Sequence, residues 1–147
     1  MTTTVAATPL QALDAEQTQR LSEGLVAFLE ANTPPDGLFE PDIFCDLSLP
    51  QWRIQTDTAD AIVRVRRESH PDLGHVSRWR TDPTPGGFVF EFEERWTDAK
   101  GDSWYAREMI RATVRDGRIS EMSVYCTGDW DRARRDEHAR AVKLLRP

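Results

Sequence analysis

Apolar and polar residues alternate along three consecutive segments in the second half of the chain. They are Gly87–Thr97 (GFVFEFEERWT), Ser103–Arg115 (SWYAREMIRATVR) and Arg118–Cys126 (RISEMSVYC). A period of two marks half-buried strands, in which successive side chains point to opposite faces. Asp98–Asp102 joins the first pair, and Asp116-Gly117 is a two-residue hairpin signal between the second and third. Together they predict a curved antiparallel sheet. One face collects Phe88, Phe90, Phe92, Glu94 and Trp96 with Trp104, Ala106, Glu108, Ile110, Ala112 and Val114. The other collects Glu91, Glu93 and Arg95 with Tyr105, Arg107, Met109 and Arg111. The apolar set must turn inward, because leaving it in water costs ~25 cal/mol per Å².

Upstream the period changes. Asp14–Asn32 places Leu21, Leu25, Phe28 and Leu29 on one helical face, with Asp14 as cap and Thr33-Pro34-Pro35 as terminator. A short turn covers Leu38–Pro41. Ile43–Leu49 (IFCDLSL) and Trp52–Thr56 (WRIQT) read as strands separated by Pro50. Thr58–Ser69 reads as a helix with Ala59, Ile62, Val63 and Arg66 on one side. His75–Thr81 begins the sheet proper, Asp82–Gly87 is a turn, and Trp130–Leu145 forms a last helix. Residues 1–9 are small and polar and are expected to be disordered. The whole, 1–147, reads as one α+β domain: helices packed on the concave face of a cone-shaped, curved, mostly antiparallel sheet.

Composition narrows the function class. Of 147 residues, 39% are hydrophobic and 30% charged, as in a soluble globular protein. No apolar run approaches the ~20 residues a membrane span needs, and the start lacks the basic and apolar regions of a secretory signal. A cytoplasmic location is therefore expected, with Cys45 and Cys126 as two reduced thiols. The formal charge of −6 argues against a nucleic-acid partner. His70, His75 and His138 are too dispersed for a metal set. No phosphate loop or dinucleotide fingerprint occurs, so neither metal nor cofactor is expected. Arg64, Arg66, Arg67, Arg132, Arg134 and Arg135 lie among acids on helices and read as solvated faces.

Two carboxylates stand out. Glu108 interrupts an apolar row, so it pairs with an arginine such as Arg80, lies near the rim, or holds a proton. Glu94 is weaker, sitting towards a strand end where water is close. Asp46 lies within an apolar strand, either as a cavity base or as an edge residue bonding an amide or arginine. Phe44, Trp52, Trp79, Phe90, Phe92, Trp104, Tyr125 and Asp129 are candidates to line an apolar pocket, the aromatics being alternatively plain core.

The order of elements and three passages resemble the nuclear transport factor 2-like superfamily. The passages are Leu38–Asp46 (LFEPDIFCD), the helix Thr58–Ser69, and Asp116–Tyr125 (DGRISEMSVY). This superfamily includes SnoaL-like polyketide cyclases, ketosteroid isomerases and limonene-epoxide hydrolases. The resemblance implies a small hydrophobic, oxygenated ligand and a homodimer formed through the sheet. In the ketosteroid isomerases an aspartate on the first strand is the base, and a protonated aspartate with a tyrosine polarises the substrate oxygen. By position Asp46 matches the base, and Glu108 or Met109 falls near the protonated acid. The helical segment Gln19–Leu29 holds no matching tyrosine. The hydrolases' arginine and aspartate two apart on one strand find Arg80 and Asp82, of which Asp82 opens a turn. The cyclases' cavity carboxylates find Asp46, Glu108 and Asp129. The implied function is an isomerase, cyclase or hydratase working by carboxylate acid–base catalysis, the alternative a non-catalytic ligand-binding or interaction module.

Overall fold

The computed structural model describes residues 12–146; the stretch 1–9, expected to be disordered, lies outside them. Helix α1 spans Ala15–Ala31, and the Asp14 carboxylate accepts the Gln17 N–H at 2.6 Å as its cap. Leu21, Leu25, Phe28 and Leu29 form its buried stripe. Asn32 ends it in the left-handed region (φ 51°), a conformation asparagine tolerates better than most residues. Helix α2 spans Ala59–Ser69 behind a Thr58 cap. Helix α3, Arg132–Ala141, is capped by Asp131.

Six strands make one unclosed sheet in the order β2-β1-β6-β5-β4-β3. They are β1 (Phe39–Leu49), β2 (Trp52–Thr56), β3 (Gly74–Thr84), β4 (Gly87–Thr97), β5 (Ser103–Arg115) and β6 (Arg118–Cys126). Every pairing is antiparallel except β1 with β6. The three alternating segments are strands with the expected bounds. At the β5–β6 hairpin both Asp116 and Gly117 have positive φ (51° and 78°), the geometry of a turn whose twist matches its strands. Gly87 is required for a different reason: a Cβ there would lie 1.8 Å from the Ala112 carbonyl oxygen.

Inward residues of β4, β5, β6 and β1 pack beneath α1 and α2. Phe88, Phe90, Phe92, Ile110, Ile119, Met122, Ile43 and Cys45 meet the α1 stripe and Ile62 of α2. Each large side chain of this set contributes roughly 1.5–3 kcal/mol relative to exposure. The fold is thus the α+β arrangement that the alternation implied. Among the described residues no helix is long and apolar enough to cross a membrane.

Three boundaries differ from expectation. The expected turn at Leu38–Pro41 is the start of β1: Phe39 pairs with Ile119 and packs edge-on against Phe28 at 5.3 Å. Pro41 fits because the register slips between Phe39 and Phe44, so its missing N–H costs no ladder bond. Strand β3 runs through Asp82 and Pro83 to Thr84, on an edge where proline is tolerated. The last helix is shorter than Trp130–Leu145. Trp130 is held outside it by exchanging backbone hydrogen bonds with Tyr105, and Val142 takes an extended backbone that stops it. Beyond Val142, Leu144 and Leu145 bury no face that could repay further helix.

Candidate functional site

Between α1, α2 and the concave sheet lies a cavity of about 290 Å³. Its walls are apolar: Leu25 and Phe28 from α1, Ile62 and Val65 from α2, Phe92, Ile110 and Val124 from the sheet. Polar groups gather at one side, where α2 ends beside the far parts of β4, β5 and β6. They are Arg66 and His70, Glu108, Cys126 and Asp129.

Alternation puts Glu108 there. Its neighbours Ala106 and Ile110 face inward, so it must as well, and the Phe92–Glu108 pairing places it over the middle of the sheet. Glu94 follows from the same rule, after Phe88, Phe90 and Phe92 on β4. Both acids are buried, with 8% and 4% of their surface exposed. Glu94 is met by Arg66, which donates Nη1 to Oε2 at 3.0 Å and Nη2 to Oε1 at 2.5 Å. The same guanidinium donates Nη2 to the Leu29 carbonyl (2.8 Å) and Nε to Asn32 Oδ1 (3.0 Å). Asn32 in turn donates Nδ2 to the His70 carbonyl at 2.6 Å. One buried arginine therefore ties the ends of α1 and α2 to β4.

Glu108 has no cation of its own. It lies within 4.8 Å of Glu94, and burial, then the Glu94 charge, pushes its carboxyl up to about 8. At neutral pH it is an uncharged acid beside the arginine-bound Glu94. His70 packs edge-on against Trp96 at 4.8 Å, and its Nε2 stands 3.9 Å from Asp129 Oδ1. Burial, then the Arg66 charge, lowers the imidazole below its ordinary value and keeps it neutral. Burial raises Asp129, whose side chain retains 41% exposure at the cavity's opening. Burial also pushes the thiols of Cys45 and Cys126 up to about 12, so both are protonated.

The donor atoms of His70, Glu94 and Glu108 lie within 4.8 Å of one another, close enough to enclose a cation. Arg66 already supplies positive charge at that point and occupies both oxygens of Glu94. The chemistry on offer is proton exchange: a held proton on Glu108, a neutral imidazole beside it, and a largely apolar chamber around them.

The residues singled out in the sequence divide among four places. Glu108, Phe92 and Asp129 border the cavity. Trp79 and Phe90 lie in the core, their rings 5.7 Å apart. Trp104 stacks on Trp96 in a separate surface groove of about 440 Å³ and donates Nε1 to Asp98. Phe44, Asp46 and Tyr125 are not on the cavity side: strand alternation sends Ile43, Cys45 and Leu47 inward and Phe44 and Asp46 outward. There Asp46 is ion-paired with Arg53 and accepts Gln55 Nε2 at 3.2 Å. Tyr125 is 63% exposed and Trp52, near the end of the edge strand β2, is 69% exposed. Arg80 pairs with Asp82 and leaves Glu108 to Glu94. Arg66 is not part of a solvated face; it shares the inward side of α2 with Ile62, as its spacing allowed. Glu94, expected near water, is sealed by Arg66. His70 carried no pattern signal, since it follows the helix it caps.

No family model matches the sequence, and neither does any curated protein. Solved structures do match the fold. A protein of the nuclear transport factor 2-like class from Anabaena variabilis aligns with a TM-score of 0.63 at 15% identity, over 82% of this chain and 96% of that one. A candidate polyketide cyclase from Xanthomonas campestris aligns at 0.60 with 13% identity, over 75% and 90%. A candidate ketosteroid isomerase from Kribbella flavida aligns at 0.57 with 16% identity, over 90% and 92%. Identities this low carry the fold alone: a curved, unclosed sheet holding its helices over an apolar chamber, which is the nuclear transport factor 2-like fold.

Proposed function

We propose that the protein binds a small, apolar, oxygen-bearing molecule in the cavity and moves a proton on it, as an isomerase, cyclase or hydratase does. The observation that carries this reading is the protonated Glu108 at the polar side of an otherwise apolar chamber, beside a neutral histidine. The roles follow from the two groups' opposite shifts. Glu108 donates its proton to a carbonyl or hydroxyl oxygen of the substrate, and Glu94, held by Arg66, keeps that proton in place when the cavity is empty. His70 accepts a proton from carbon or water, with the Asp129 carboxylate near its Nε2 balancing the charge that forms. Such positioned proton transfer is worth about 10²–10⁴ in rate. A volume near 290 Å³ is at the small end of ligand sites, which suits a body of one or two rings.

The test is deuterium wash-in at the carbon next to the carbonyl of 2-tetralone, followed by NMR in heavy water. Exchange above the buffer rate, lowered about 10²–10⁴-fold by Glu108→Gln and by His70→Asn, supports the assignment. Asp46→Asn is expected to leave exchange within a few-fold, since Asp46 faces away.

A second reading has its own observation: Glu108 lies within 4.8 Å of Glu94, a competing acceptor for its proton. A chamber that only carries its ligand would look the same. Binding of 2-tetralone without exchange would select that reading.

We also propose that two copies associate through the outer sheet face. Met109 and Tyr125 are paired neighbours there, both exposed, flanked by the Glu91–Arg107 ion pair.

A further inference from the structure

We propose that Glu94, which does not border the cavity, decides the charge class of the ligand: by neutralising Arg66 it makes the site reject anions and take uncharged molecules. The inference rests on the cavity being a ligand site, as proposed above, and adds which ligands it admits.

The basis is a count of charges around the polar side. Among the described residues Arg66 is the only arginine or lysine bordering the cavity, and both oxygens of Glu94 are already bonded to it. Its remaining bonds run to Leu29 and Asn32, so four of its five N–H groups are engaged within the protein. The other titratable groups are Glu108 from β5, His70 after α2, Asp129 at the opening, and the thiols of Cys45 and Cys126. None of these is a cation. Asp129 adds negative charge on the way in, and the Glu94 carboxylate behind Arg66 disfavours any further anion. A carboxylate entering this chamber would lose its water and find no unpaired positive charge, which is costly. A ketone or alcohol of the same shape loses only one or two hydrogen bonds and can recover one from Glu108.

Glu94 is thus a positioning residue for specificity, acting through Arg66. With glutamine in place of both Glu94 and Glu108, the second of which would otherwise ionise beside the freed cation, the guanidinium keeps its location, held by Leu29 and Asn32, and its charge becomes available. A ligand carboxylate can then pair with it from the cavity side. Selectivity should invert, an outcome that loss of structure alone would not produce.

The probes are acetylcyclohexane and cyclohexanecarboxylate, which share a ring and differ in one group. Binding to the whole protein at pH 7 would be followed by ligand-observed NMR and calorimetry. The ketone is expected to bind roughly 10–1,000-fold more tightly than the carboxylate. Lowering the pH should let the carboxylic acid bind in its neutral form, by about tenfold per unit until its own pKa is reached. In the Glu94→Gln/Glu108→Gln double variant the ratio should swing towards the carboxylate by tenfold or more. Should that variant fail to fold, Asp129→Asn at the exposed opening replaces it, with the ratio of ketone to carboxylate affinity reduced severalfold. Equal affinity for both probes in the wild-type protein would overturn the proposal while leaving proton transfer on ketones intact. Discrimination without deuterium exchange would uphold it and remove the catalytic reading. Binding of neither probe would overturn both.

Discussion

At the scale of single residues, Glu108 and Arg66 carry the site, and each has a measurable signature. The folded protein binds the Glu108 proton up to about pH 8, whereas the unfolded chain releases it near the ordinary glutamate value of 4.5. Between those values the native state holds one more proton than the unfolded state, so this group's stabilising contribution is complete below about 4.5 and is lost as pH rises through 8. Denaturant unfolding of wild type and Glu108→Gln across pH 5–9 should therefore show the wild type losing stability relative to the variant as pH rises. Parallel curves would contradict a protonated Glu108. Arg66 gives a larger effect. Removing it by Arg66→Ala strands the buried Glu94 carboxylate and opens the α1–α2 tie, and should cost about 3–5 kcal/mol in the same assay. A loss under 1 kcal/mol would show that the pair is not sealed from water.

At the scale of elements, the strands were legible and the site was only half so. A period of two located β4, β5 and β6 and put Glu108 and Glu94 on the buried face. The same rule, applied to β1, already placed Asp46 opposite Ile43, Cys45 and Leu47. The likeness to first-strand aspartates elsewhere had pointed the other way, and here alternation prevailed, because burying these three apolar side chains outweighs burying one acid. On α2, Arg66 shares its side with Ile62 and Val63, so the helical period held the information that it was buried. What no local pattern could supply was its partner: Glu94 lies on another element, and the pairing exists only once α2 crosses the sheet. His70 and Asp129 were harder still, as both sit in connections without periodicity.

At the scale of the whole molecule, a curved sheet with helices on one side leaves one face for a chamber and the other for a neighbour. Sedimentation equilibrium should find a dimer, and Met109→Glu with Tyr125→Arg should give monomers with unchanged far-ultraviolet circular dichroism. A wild-type monomer at tens of micromolar would rule that association out. The two faces are chemically opposed, the inner apolar with buried acids, the outer charged with a few exposed aromatic and aliphatic side chains. That contrast would let one sheet serve both proposed purposes, and it makes the inner face the place to test function. The most direct test is the pH profile of deuterium wash-in at the α-carbon of 2-tetralone. Exchange should require neutral His70 and protonated Glu108, falling above about pH 8 as Glu108 ionises, with Glu108→Gln lower throughout. Exchange that keeps climbing through pH 9, or that survives Glu108→Gln unchanged, would contradict the account.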